Sequence, residues 1–600
     1  MKIKLSDFMA DTLASFGITH LFSVTGGGSM HLNDSFGHNE KISSVYCHHE
    51  QACAIAAEAY ARIKNKIAAV CVTTGPGGIN ALNGVCGAYV DSIPMFVVSG
   101  QVKRETTARL SGLPLRAVGD QEFDIVGSVQ NMTKYAVMVT EPNEILYHMQ
   151  KAYHLATSGR RGPVWLDIPT DVQAAMIDTD DLIAYDKRED EVVPTVSDET
   201  LDTVAKMVGE AKRPVIYAGS AIRYADCRES FLSLVERWNV PVVTAWNSID
   251  VIWDEHPDYI GRGGMMGDRA GNFAVQNADL VLSLGCRLSV RQVSYNYKTW
   301  AREAKVVMVD IDENELKKPT LHVDLPIHGD VADVIPRLAQ RTIAGDRTNW
   351  LSVCQGWRKK YPVITEEMCK ASSPVNPYCF LKVLAKNVRD DELILVGNGT
   401  ACVAGSHALP MKKDQRFIIQ SGMASMGYDL PAAVGIGKAM DKDRLVLITG
   451  DGSIQMNLQE LQTILTYKTP VKIFLLNNGG YQSIRLTQKA FFGKRKPVGI
   501  GPDSADLEFP SMQKLAKAYG YPYAKCDANE KLQRAVSAFL KKEGAGILEI
   551  FVDPAQAFEP KSSSKLLPDG RIVSPPLEDL APFLSREELK EIMLIPMIGE

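Results

Sequence analysis

Two short polar segments of the sequence carry oxygen ligands of the kind that a divalent cation prefers. Gly450-Asp451-Gly452 follows one apolar run, and Asn478 closes the next one after a helical stretch. A carboxylate and an amide oxygen at two adjacent strand ends suit Mg²⁺, which favours hard oxygen ligands and usually keeps phosphate oxygens among them. The glycines let the backbone approach a phosphate, and helix N–H groups can bind it. The spacing predicts a phosphate and metal site.

A second segment, Cys47-His48-His49-Glu50-Gln51, places a carboxyl group at the start of a helix that is mostly alanine and isoleucine. A glutamate at a helix start is more often a partner of the helix dipole than a catalyst. A carboxyl group in apolar surroundings can also act as a general acid and base. The residues by themselves leave both interpretations open for Glu50, and they favour a structural role for His48 and His49.

Two further segments combine glycine turns with neighbouring strands. Residues 73–102 have the pattern of strand, Gly-Pro-Gly turn, helix and strand, an order found in many nucleotide binders. Residues 421–437 carry methionines at a glycine-broken helix start, where methionine is usually part of the core. Gly397-Asn398-Gly399-Thr400 follows another predicted strand. Each segment is compatible with a ligand, and none identifies one.

Strands must position these segments, and short β-branched runs alternate with helical patterns through most of the chain. Continuous apolar strands followed by glycine-rich turns are typical of parallel sheets with helices on both faces. The clearest predicted strands lie at 68–74, 95–100, 213–219, 278–285, 304–312, 392–399, 444–452 and 471–480. This pattern predicts an α/β fold class with doubly wound parallel sheets.

Polar joints at 185–199 and at about 343–375 divide the chain into blocks. We expect three α/β domains, at 1–185, 190–345 and 370–555, and a C-terminal tail at 556–600. The tail is rich in proline and serine before a short helical end, which predicts an arm lying over the body or over a neighbour. A membrane-binding amphipathic end is the alternative, although the lysines form no basic face.

The bulk composition is that of a soluble globular protein with large cores. The 600 residues are 45% hydrophobic and 23% charged, with a formal net charge of −5. This charge predicts no binding of nucleic acid or of an anionic membrane. The sequence contains neither a spanning apolar run nor a signal-peptide pattern, and its eleven cysteines are scattered. We expect a cytoplasmic protein with reduced thiols.

The GDG segment with its following Asn-Asn pair, the Glu50 segment and the glycine turns resemble the thiamine-diphosphate-dependent enzyme family, in particular its acetolactate synthase group. The resemblance covers nearly the whole chain to about residue 555. It implies that Asp451, Asn478 and the carbonyl group of Gly480 hold Mg²⁺. It also implies that Glu50 relays a proton to the aminopyrimidine ring of the cofactor, and that Gln101 lies beside the reactive carbon.

The same resemblance implies the remaining contacts to thiamine diphosphate. Met426 would wedge between the two rings of the cofactor and keep it bent. The complete predicted set is Thr25, Gly26, Gly75, Pro76, Gly77, Asn80, Gly397, Asn398, Gly399, Thr400, Gly422, Met423, Met426, Gly450, Asp451, Gly452, Ser453, Asn478, Gly480 and Tyr481.

The middle block resembles the FAD-binding domain of acetolactate synthases and pyruvate oxidases, because its polar segments each follow a strand or precede a helix. The implied FAD residues are Gly219, Ser220, Thr244, Ala245, Trp246, Gly264, Met265, Met266, Gly285, Arg287, Asp310, Asp312, Gly329 and Asp330. A structural domain that binds no flavin is the alternative. The resemblance assigns the three blocks as a pyrimidine-binding domain (1–185), a middle domain (190–345) and a diphosphate-binding domain (370–555). It also implies a homodimer, with the pyrimidine-binding domain of one chain against the diphosphate-binding domain of the other, or a homotetramer of two such dimers.

The chain departs from acetolactate synthases at two places near the expected acceptor pocket. Their Phe-Gln-Glu string is matched here by Asp120-Gln121-Glu122, and their Trp-Gln pair by Thr487-Gln488. The loss of two aromatic walls predicts a wider and more polar acceptor site. The tail also resembles the tails of carboligases that add an acetyl unit to a nucleotide-linked keto-sugar.

The sequence thus predicts a transferase that decarboxylates pyruvate and passes a two-carbon carbanion to a second carbonyl compound. A 2-keto-acid decarboxylase, which could use His48 and His49, and a flavin-linked pyruvate oxidase are the enzyme alternatives. A noncatalytic nucleotide-binding scaffold is the alternative of another class. Glu50 and Asp451 argue against the scaffold, because it needs neither a proton relay nor a metal.

Overall fold

The computed structural model describes residues 1–189, 193–493, 495–566, 570 and 572–598. Its framework is three six-stranded sheets, and every pair of neighbouring strands within them is parallel. The α/β fold class with three doubly wound parallel sheets, as expected from the sequence, is confirmed.

The strands of each sheet follow one another in space as listed here. The first sheet has Ser43–Tyr46, His20–Ser23, Ala68–Val72, Met95–Gln101, Pro163–Pro169 and Tyr135–Met138. The middle sheet has Tyr259–Arg262, Val242–Thr244, Pro214–Ala218, Leu280–Leu284, Lys305–Asp310 and Leu325–His328. The third sheet has Arg416–Ile418, Leu393–Val396, Leu445–Gly450, Val471–Asn477, Gly546–Phe551 and Tyr523–Cys526. A short antiparallel pair, Lys2–Lys4 with Met176–Asp178, joins the two ends of the first domain.

Helices connect these strands. Those of the first domain are Leu5–Ser15, Met30–His38, Glu50–Lys64, Pro76–Val90, Ala108–Ser111, Ile125–Val129, Ile145–Thr157 and Thr170–Gln173. Those around the middle sheet are Asp198–Glu210, Ala221–Tyr224, Arg228–Trp238, Arg269–Asn277, Val290–Val293, Glu313–Leu316, Val331–Ala339 and Thr348–Lys360. Those around the third sheet are Pro377–Asn387, Thr400–Ala408, Asp429–Ala439, Glu460–Thr466, Gln482–Phe492, Met512–Tyr519 and Asn529–Leu540. In the described part of the chain, no helix has the length and apolar character needed to span a membrane.

The eight predicted strand segments all contain a strand, and each of these strands has a neighbour on both sides. Interior strands are buried on both faces. In Leu393–Val396, for example, successive side chains enter two different hydrophobic clusters. A strand covered on both faces needs apolar residues at every position, which explains why these segments were continuous apolar runs.

The two predicted joints have different outcomes. Residues 190–192 of the first joint lie outside the described residues. The second joint contains the helix Thr348–Lys360, whose Trp350 and Trp357 are buried in the core of the middle domain. The ring of Trp357 packs edge-on against Phe273, with centroids 5.9 Å apart. This segment therefore belongs to the packing of the middle domain and is not a plain connection.

The tail lies along the middle domain, as predicted for an arm over the body. Arg269 donates a hydrogen bond to the carbonyl oxygen of Leu580 (3.2 Å). The helix Arg586–Ile592 adds Leu589 and Ile592 to the core of the middle domain. The tail also forms the strand pair Lys565–Leu566 and Ile572–Val573, whose tip, residues 567–569 and 571, lies outside the described residues.

A close helix crossing fixes the first domain against the third. Helix Glu50–Lys64 packs against helix Asp429–Ala439. At the crossing, Gly435 faces Ala56 so closely that a Cβ atom on Gly435 would overlap the carbonyl oxygen of Ala56. The absence of a side chain at Gly435 therefore sets the distance between the two domains.

The substitution Gly435→Ala is expected to destabilise the protein, because the added methyl group forces the two helices apart. Overpacking of this kind typically costs about 1–3 kcal/mol. The control is Gly356→Ala in helix Thr348–Lys360, where a Cβ atom meets nothing within 4 Å; alanine should be neutral or stabilising there. Thermal melting temperatures compare the two variants. A Gly435→Ala protein that melts with the wild type would contradict the tight crossing.

Candidate active site

The predicted metal ligand Asp451 directly follows strand Leu445–Gly450 and is 5% exposed. Its carboxylate accepts hydrogen bonds from the backbone N–H groups of Gly452 (3.1 Å) and Gly480 (2.8 Å). Burial raises the pKa of Asp451 to about 6, although these backbone hydrogen bonds act in the opposite direction. A bound cation would offset the cost of burying this charge.

Asn478 supplies a second oxygen at the same edge, because the strand before it, Val471–Asn477, pairs with Leu445–Gly450. Its Nδ2 donates to Thr400 Oγ1 (2.9 Å), and its Oδ1 is buried without a hydrogen-bond partner. Leaving a buried acceptor unsatisfied costs about 1–3 kcal/mol, which a ligand can recover. A carboxylate beside an unpaired amide oxygen fits Mg²⁺. Within the described residues, no group of three or more His, Cys, Asp and Glu side chains could hold a metal.

The loop that carries Asn478 is held in place by its own domain. Arg485 donates hydrogen bonds to the carbonyl oxygens of Asn478 (3.1 Å) and Gly479 (2.7 Å). Gly480 has a φ of +126°, and a Cβ atom there would overlap the carbonyl oxygen of Ile500. Only glycine fits this position. The next residue, Tyr481, packs its ring edge-on against Phe509.

A second turn at this edge has the features of a phosphate site. The turn at 397–400 follows strand Leu393–Val396 and precedes helix Thr400–Ala408, so helix N–H groups face the edge. Asn398 donates from Nδ2 to the carbonyl oxygen of Ser425 (2.7 Å), and its Oδ1 is a buried acceptor without a partner. Gly399 has a φ of +117° and open space where a Cβ would lie. The predicted phosphate-binding turn and the predicted metal ligands therefore share one edge of the third sheet.

The loop at 421–426 carries the predicted cofactor-contacting methionines. Met423 is 43% exposed, and Met426 is half-buried. The end of this loop is tied to the metal side, since the N–H group of Gly427 donates to Ser453 Oγ (3.0 Å). The start of the loop is tied to the first domain, since the N–H group of Gly422 donates to Asp91 Oδ1 (3.0 Å).

Glu50 is the first residue of helix Glu50–Lys64 and is half-buried. Its Oε2 accepts a hydrogen bond from Asn80 Nδ2 (3.0 Å), which brings two predicted cofactor residues together. His49 caps the helix, because its Nδ1 accepts from the N–H group of Gln51 (3.2 Å). The structural role predicted for His49 agrees with this cap. His48 contributes its backbone N–H group to Glu460 (3.1 Å).

Gln101 lies inside the first domain and is 1% exposed. Its Oε1 accepts from Thr74 Oγ1 (2.7 Å), and its Nε2 donates to Phe123 (3.0 Å) and Asp167 (3.0 Å). The amide therefore makes its hydrogen bonds within the domain, so this geometry does not favour the predicted contact with the reactive carbon. The family resemblance drew attention to Gln101, but its burial could not be seen in the sequence.

The glycine turn at 75–77 instead faces the loop that carries Gln121. Gly75 has a φ of +58°, and a Cβ atom there would overlap the carbonyl oxygen of Gln121. Gly26, with Thr25 before it, lies against Thr73, which precedes the glycine turn, since a Cβ on Gly26 would overlap the side chain of Thr73. Gln121 is exposed and was assigned only to the acceptor pocket, yet the structure places it directly beside the predicted cofactor turn.

Three families of thiamine pyrophosphate enzyme domains match the chain: the N-terminal TPP binding domain at residues 3–128, the central domain at 201–338 and the C-terminal TPP binding domain at 397–550. The chain is 30% identical to the acetolactate synthase large subunit of Lactococcus lactis, over 95% of this chain and 97% of that protein. It is 29% identical to the acetolactate synthase isozyme 2 large subunit of Escherichia coli, over 96% of this chain and 100% of that protein. The chain belongs to the thiamine-diphosphate-dependent enzymes.

The resemblance drawn from the motifs is thereby confirmed: the protein is a thiamine-diphosphate-dependent enzyme of the acetolactate-synthase-like group. The residues predicted to bind its cofactor divide between two domains. Glu50 and Asn80 belong to the first domain, and Asp451 and Asn478 to the third. Among the described residues, no hydrogen bond or ion pair joins Glu50 to Asp451 within one chain.

Three of the four predicted acceptor residues of this enzyme are exposed, and Gln488 is half-buried. Asp120 and Gln121 lie on a surface loop whose backbone is held by Glu122, which accepts hydrogen bonds from the N–H groups at 118 (2.6 Å) and 119 (3.2 Å). Thr487 lies on the exposed side of helix Gln482–Phe492. Gln488 has a structural task, because its amide exchanges two hydrogen bonds with Val498 (2.8 and 3.0 Å). Thr487 also uses its hydroxyl group, because Oγ1 donates to the carbonyl oxygen of Ser483 (2.9 Å).

The middle domain of the enzyme contains a cleft at the carboxyl ends of its strands. Strand Pro214–Ala218 lies between Val242–Thr244 and Leu280–Leu284, so the chain changes direction at this strand. Ligands of open α/β sheets bind at such switch points. Gly219 and Gly285 meet there, since a Cβ atom on Gly219 would overlap the carbonyl oxygen of Gly285.

Two adjoining cavities form this cleft, with empty volumes of about 790 and 740 Å³. The predicted FAD residues that line them are Ser220, Ala245, Trp246, Gly285, Arg287, Asp310 and Asp330. Those that do not line them are Gly219, Thr244, Gly264, Met265, Met266, Asp312 and Gly329. The indole N–H of Trp246 is a buried donor without a partner. The cleft therefore has the size and an unpaired polar group that suit a nucleotide ligand.

Sequence reasoning missed three arginines of this cleft, Arg160, Arg161 and Arg291. Arg160 comes from the first domain, lines the cleft and donates to Asp312 (2.7 Å). Arg291 lies over the ring of Trp246, 4.5 Å from its centroid. Arg160 follows no strand of the middle block, so only its position in space reveals it. Arg291 is the second residue of helix Val290–Val293 and does not lie at a strand end.

Asp451→Ala is expected to abolish the stabilisation that thiamine diphosphate and Mg²⁺ together give to the wild type. The reason is that the substitution removes the only carboxylate among the three predicted metal ligands. The measurement is the rise in melting temperature on adding cofactor and metal, which follows from mass action on the native state. Asp441→Ala, at a carboxylate that is 94% exposed, is the control and should behave as the wild type. An equal rise in Asp451→Ala would contradict the metal assignment.

Proposed function

We propose that the enzyme decarboxylates pyruvate and transfers the resulting two-carbon unit to a carbonyl acceptor, using thiamine diphosphate and Mg²⁺. The observation that carries this proposal is the buried carboxylate of Asp451 beside the unpaired Oδ1 of Asn478. These two oxygens would hold Mg²⁺ together with the carbonyl group of Gly480. The similarity to acetolactate synthase large subunits supports the choice of pyruvate.

The residues of the third domain would anchor the cofactor. The turn at 397–400 and the segment around Ser453 would bind its diphosphate, where helix N–H groups and the metal attract negative charge. Thiamine diphosphate, when bound, supplies the electron sink that makes loss of CO₂ from a 2-keto acid feasible. Met426, on the 421–426 loop, would hold the cofactor in its reactive bend. The protein orients the cofactor and keeps water away.

Glu50 would hold and move a proton at its carboxylate oxygens. Its position at a helix start, beside Asn80, leaves the carboxyl group partly open to a ligand. The decarboxylase alternative, which would use His48 and His49 for proton transfer, is less well supported because His49 Nδ1 already caps the helix. The carboligase is therefore the preferred activity.

We propose a homodimer as the smallest active unit, with pairing of two dimers as an extension. The support is that Glu50 and Asp451 belong to different domains and that, among the described residues, no hydrogen bond or ion pair joins these two residues within one chain. A second copy would bring the first domain of one chain to the third domain of the other. Exposed apolar side chains at Ile79, beside Asn80, and at Met423 are consistent with a covered surface.

We propose FAD as the ligand of the cleft in the middle domain. The support is the switch-point geometry, the unpaired indole N–H of Trp246 and the four arginines that line the cleft. Carboligation moves no net electrons, so bound FAD should stay oxidised during turnover. The oxidase alternative requires the opposite, with electrons leaving through the flavin.

We propose an acceptor that is larger and more polar than a second pyruvate, with a ketone on a nucleotide-linked deoxysugar as the preferred candidate. Asp120, Gln121 and Thr487 are exposed and offer hydrogen-bonding groups where aromatic residues would present apolar faces. A polar wall in a desolvated site is stable only when a ligand or water pairs with it, so hydroxyl groups on the acceptor are its natural complement.

Glu50→Gln should still bind thiamine diphosphate but lose most of its turnover, because an amide cannot deliver the proton. Loss of a general acid–base group typically lowers the rate about 10²–10⁴-fold. The measurement is hydrogen–deuterium exchange at C2 of the bound cofactor, followed alongside CO₂ release from pyruvate. Glu40→Gln, at an exposed glutamate, is the matched control. Wild-type exchange in Glu50→Gln would show that another group performs the proton transfer.

Thr487→Trp should suppress transfer to a keto-sugar nucleotide far more than transfer to pyruvate, since the indole fills space that only the larger acceptor needs. The measurement is kcat/KM for each acceptor in competition. The control is Lys489→Trp, which places the same indole at an exposed position two residues further along the same helix, on a different face. Efficient acetolactate formation by the wild type, with no sugar adduct, would overturn the acceptor proposal and leave the cofactor chemistry intact.

A further inference from the structure

A carboxylate of the first domain occupies an electrostatically unfavourable place. Asp91 caps the carboxyl end of helix Pro76–Val90, where the helix dipole repels negative charge. It is 7% exposed. One of its compensating partners is Arg62, whose Nη2 donates to Asp91 Oδ2 (2.8 Å). Asp91 does not stabilise its own helix, which calls for another role.

The remaining hydrogen bonds of Asp91 reach the third domain. Its Oδ1 accepts from the N–H group of Gly422 (3.0 Å), and its Oδ2 accepts from the N–H group of Ser421 (3.2 Å). Gly422 leaves no room for a side chain, because a Cβ atom would lie 2.5 Å from Asp91 Oδ1 and 2.5 Å from Val90 Cγ1. Asp91 thus grips the beginning of the 421–426 loop through its backbone.

The same residues form one wall of the middle-domain cleft. Val90 lines both cavities, Asp91 lines the first, and Ser421 and Gly422 line the second. A ligand in the cleft therefore touches both the carboxylate that grips the loop and the loop backbone that it grips. The cleft and the loop with Met426 are adjacent through these contacts and need no longer pathway between them.

We propose that Asp91 is a positioning residue that holds the 421–426 loop in its cofactor-binding shape and couples it to the cleft. Filling the cleft then tightens the binding of thiamine diphosphate, and thiamine diphosphate tightens the binding of the cleft ligand by the same factor. This inference rests on the proposed function, in which the loop contacts thiamine diphosphate and the cleft takes FAD.

Two variants disturb the contact from its two sides. Asp91→Asn disrupts the hydrogen bonds from Ser421 and Gly422, because an amide has one acceptor oxygen where the carboxylate has two, and it leaves Arg62 with less counter-charge. Gly422→Ala pushes the loop away without removing a charge. Gly356→Ala, where a Cβ meets nothing within 4 Å, is the control for a glycine-to-alanine change. Gly422→Ala keeps the test valid if Asp91→Asn does not fold.

Calorimetric titration of the full-length protein, freed of cofactors, with thiamine diphosphate and Mg²⁺ gives the dissociation constant. It should rise about 10–100-fold in both variants, the loss expected for hydrogen bonds to a charged group, and stay at the wild-type value in Gly356→Ala. With saturating thiamine diphosphate, kcat of Asp91→Asn should recover most of its wild-type value. A merely structural role for Asp91 would instead lower the folded fraction and leave the dissociation constant unchanged.

Repeating the titration with saturating FAD tests the coupling. In the wild type, FAD should lower the dissociation constant of thiamine diphosphate at least about fivefold, and in both variants this effect should disappear. Unchanged dissociation constants in both variants would overturn the positioning role, and an FAD effect that is absent in the wild type or retained in the variants would overturn the coupling. A wild type that binds thiamine diphosphate and FAD but does not decarboxylate pyruvate would instead contradict the proposed function alone.

Discussion

A single buried cation, the guanidinium group of Arg62, decides how the three domains meet. Arg62 donates to Glu58 and Asp91 of the first domain and to the hydroxyl group of Tyr224 in the middle domain. Tyr428 of the third domain donates to the second oxygen of Glu58 (2.8 Å). Breaking one partner of such a buried pair typically costs about 3–5 kcal/mol. The three charged groups lie in the first domain, but their hydrogen bonds to Tyr224 and Tyr428 form only when all three domains are docked, and this docking brings the predicted cofactor loop to the middle-domain cleft.

Parallel sheets explain why both ligand sites lie at strand ends. In the third sheet, Leu393–Val396 lies between Arg416–Ile418 and Leu445–Gly450, so the chain changes direction there just as it does in the middle sheet. The helices that follow the adjacent strands leave a crevice at such a point. The buried acceptors of Asn398 and Asn478 border this crevice. The same architecture thus produces a phosphate and metal site in one domain and a nucleotide-sized cleft in another.

The sequence made the interior of the fold predictable and its margins much less so. Interior strands such as Leu445–Gly450 are continuous apolar runs, whereas the edge strand Ser43–Tyr46 buries only one of its residues and gives little signal. The neighbouring positions of Asp451 and Asn478 followed from two strand ends, because adjacent parallel strands end at one edge. The direction of a side chain did not follow. The buried amide of Gln101 is the example, since its partners come from distant segments.

The backbone of Gln121 links the cofactor turn to the acceptor loop. Gln121 has a φ of +59°, in the left-handed region that costs a residue with a side chain about 1–3 kcal/mol. This conformation places its carbonyl oxygen against Gly75, which in turn must be a glycine. Since Glu122 fixes the backbone on the other side, the strained turn is held from both directions. We therefore expect a change in the predicted acceptor loop to shift the predicted cofactor turn as well, which would link acceptor choice to cofactor geometry.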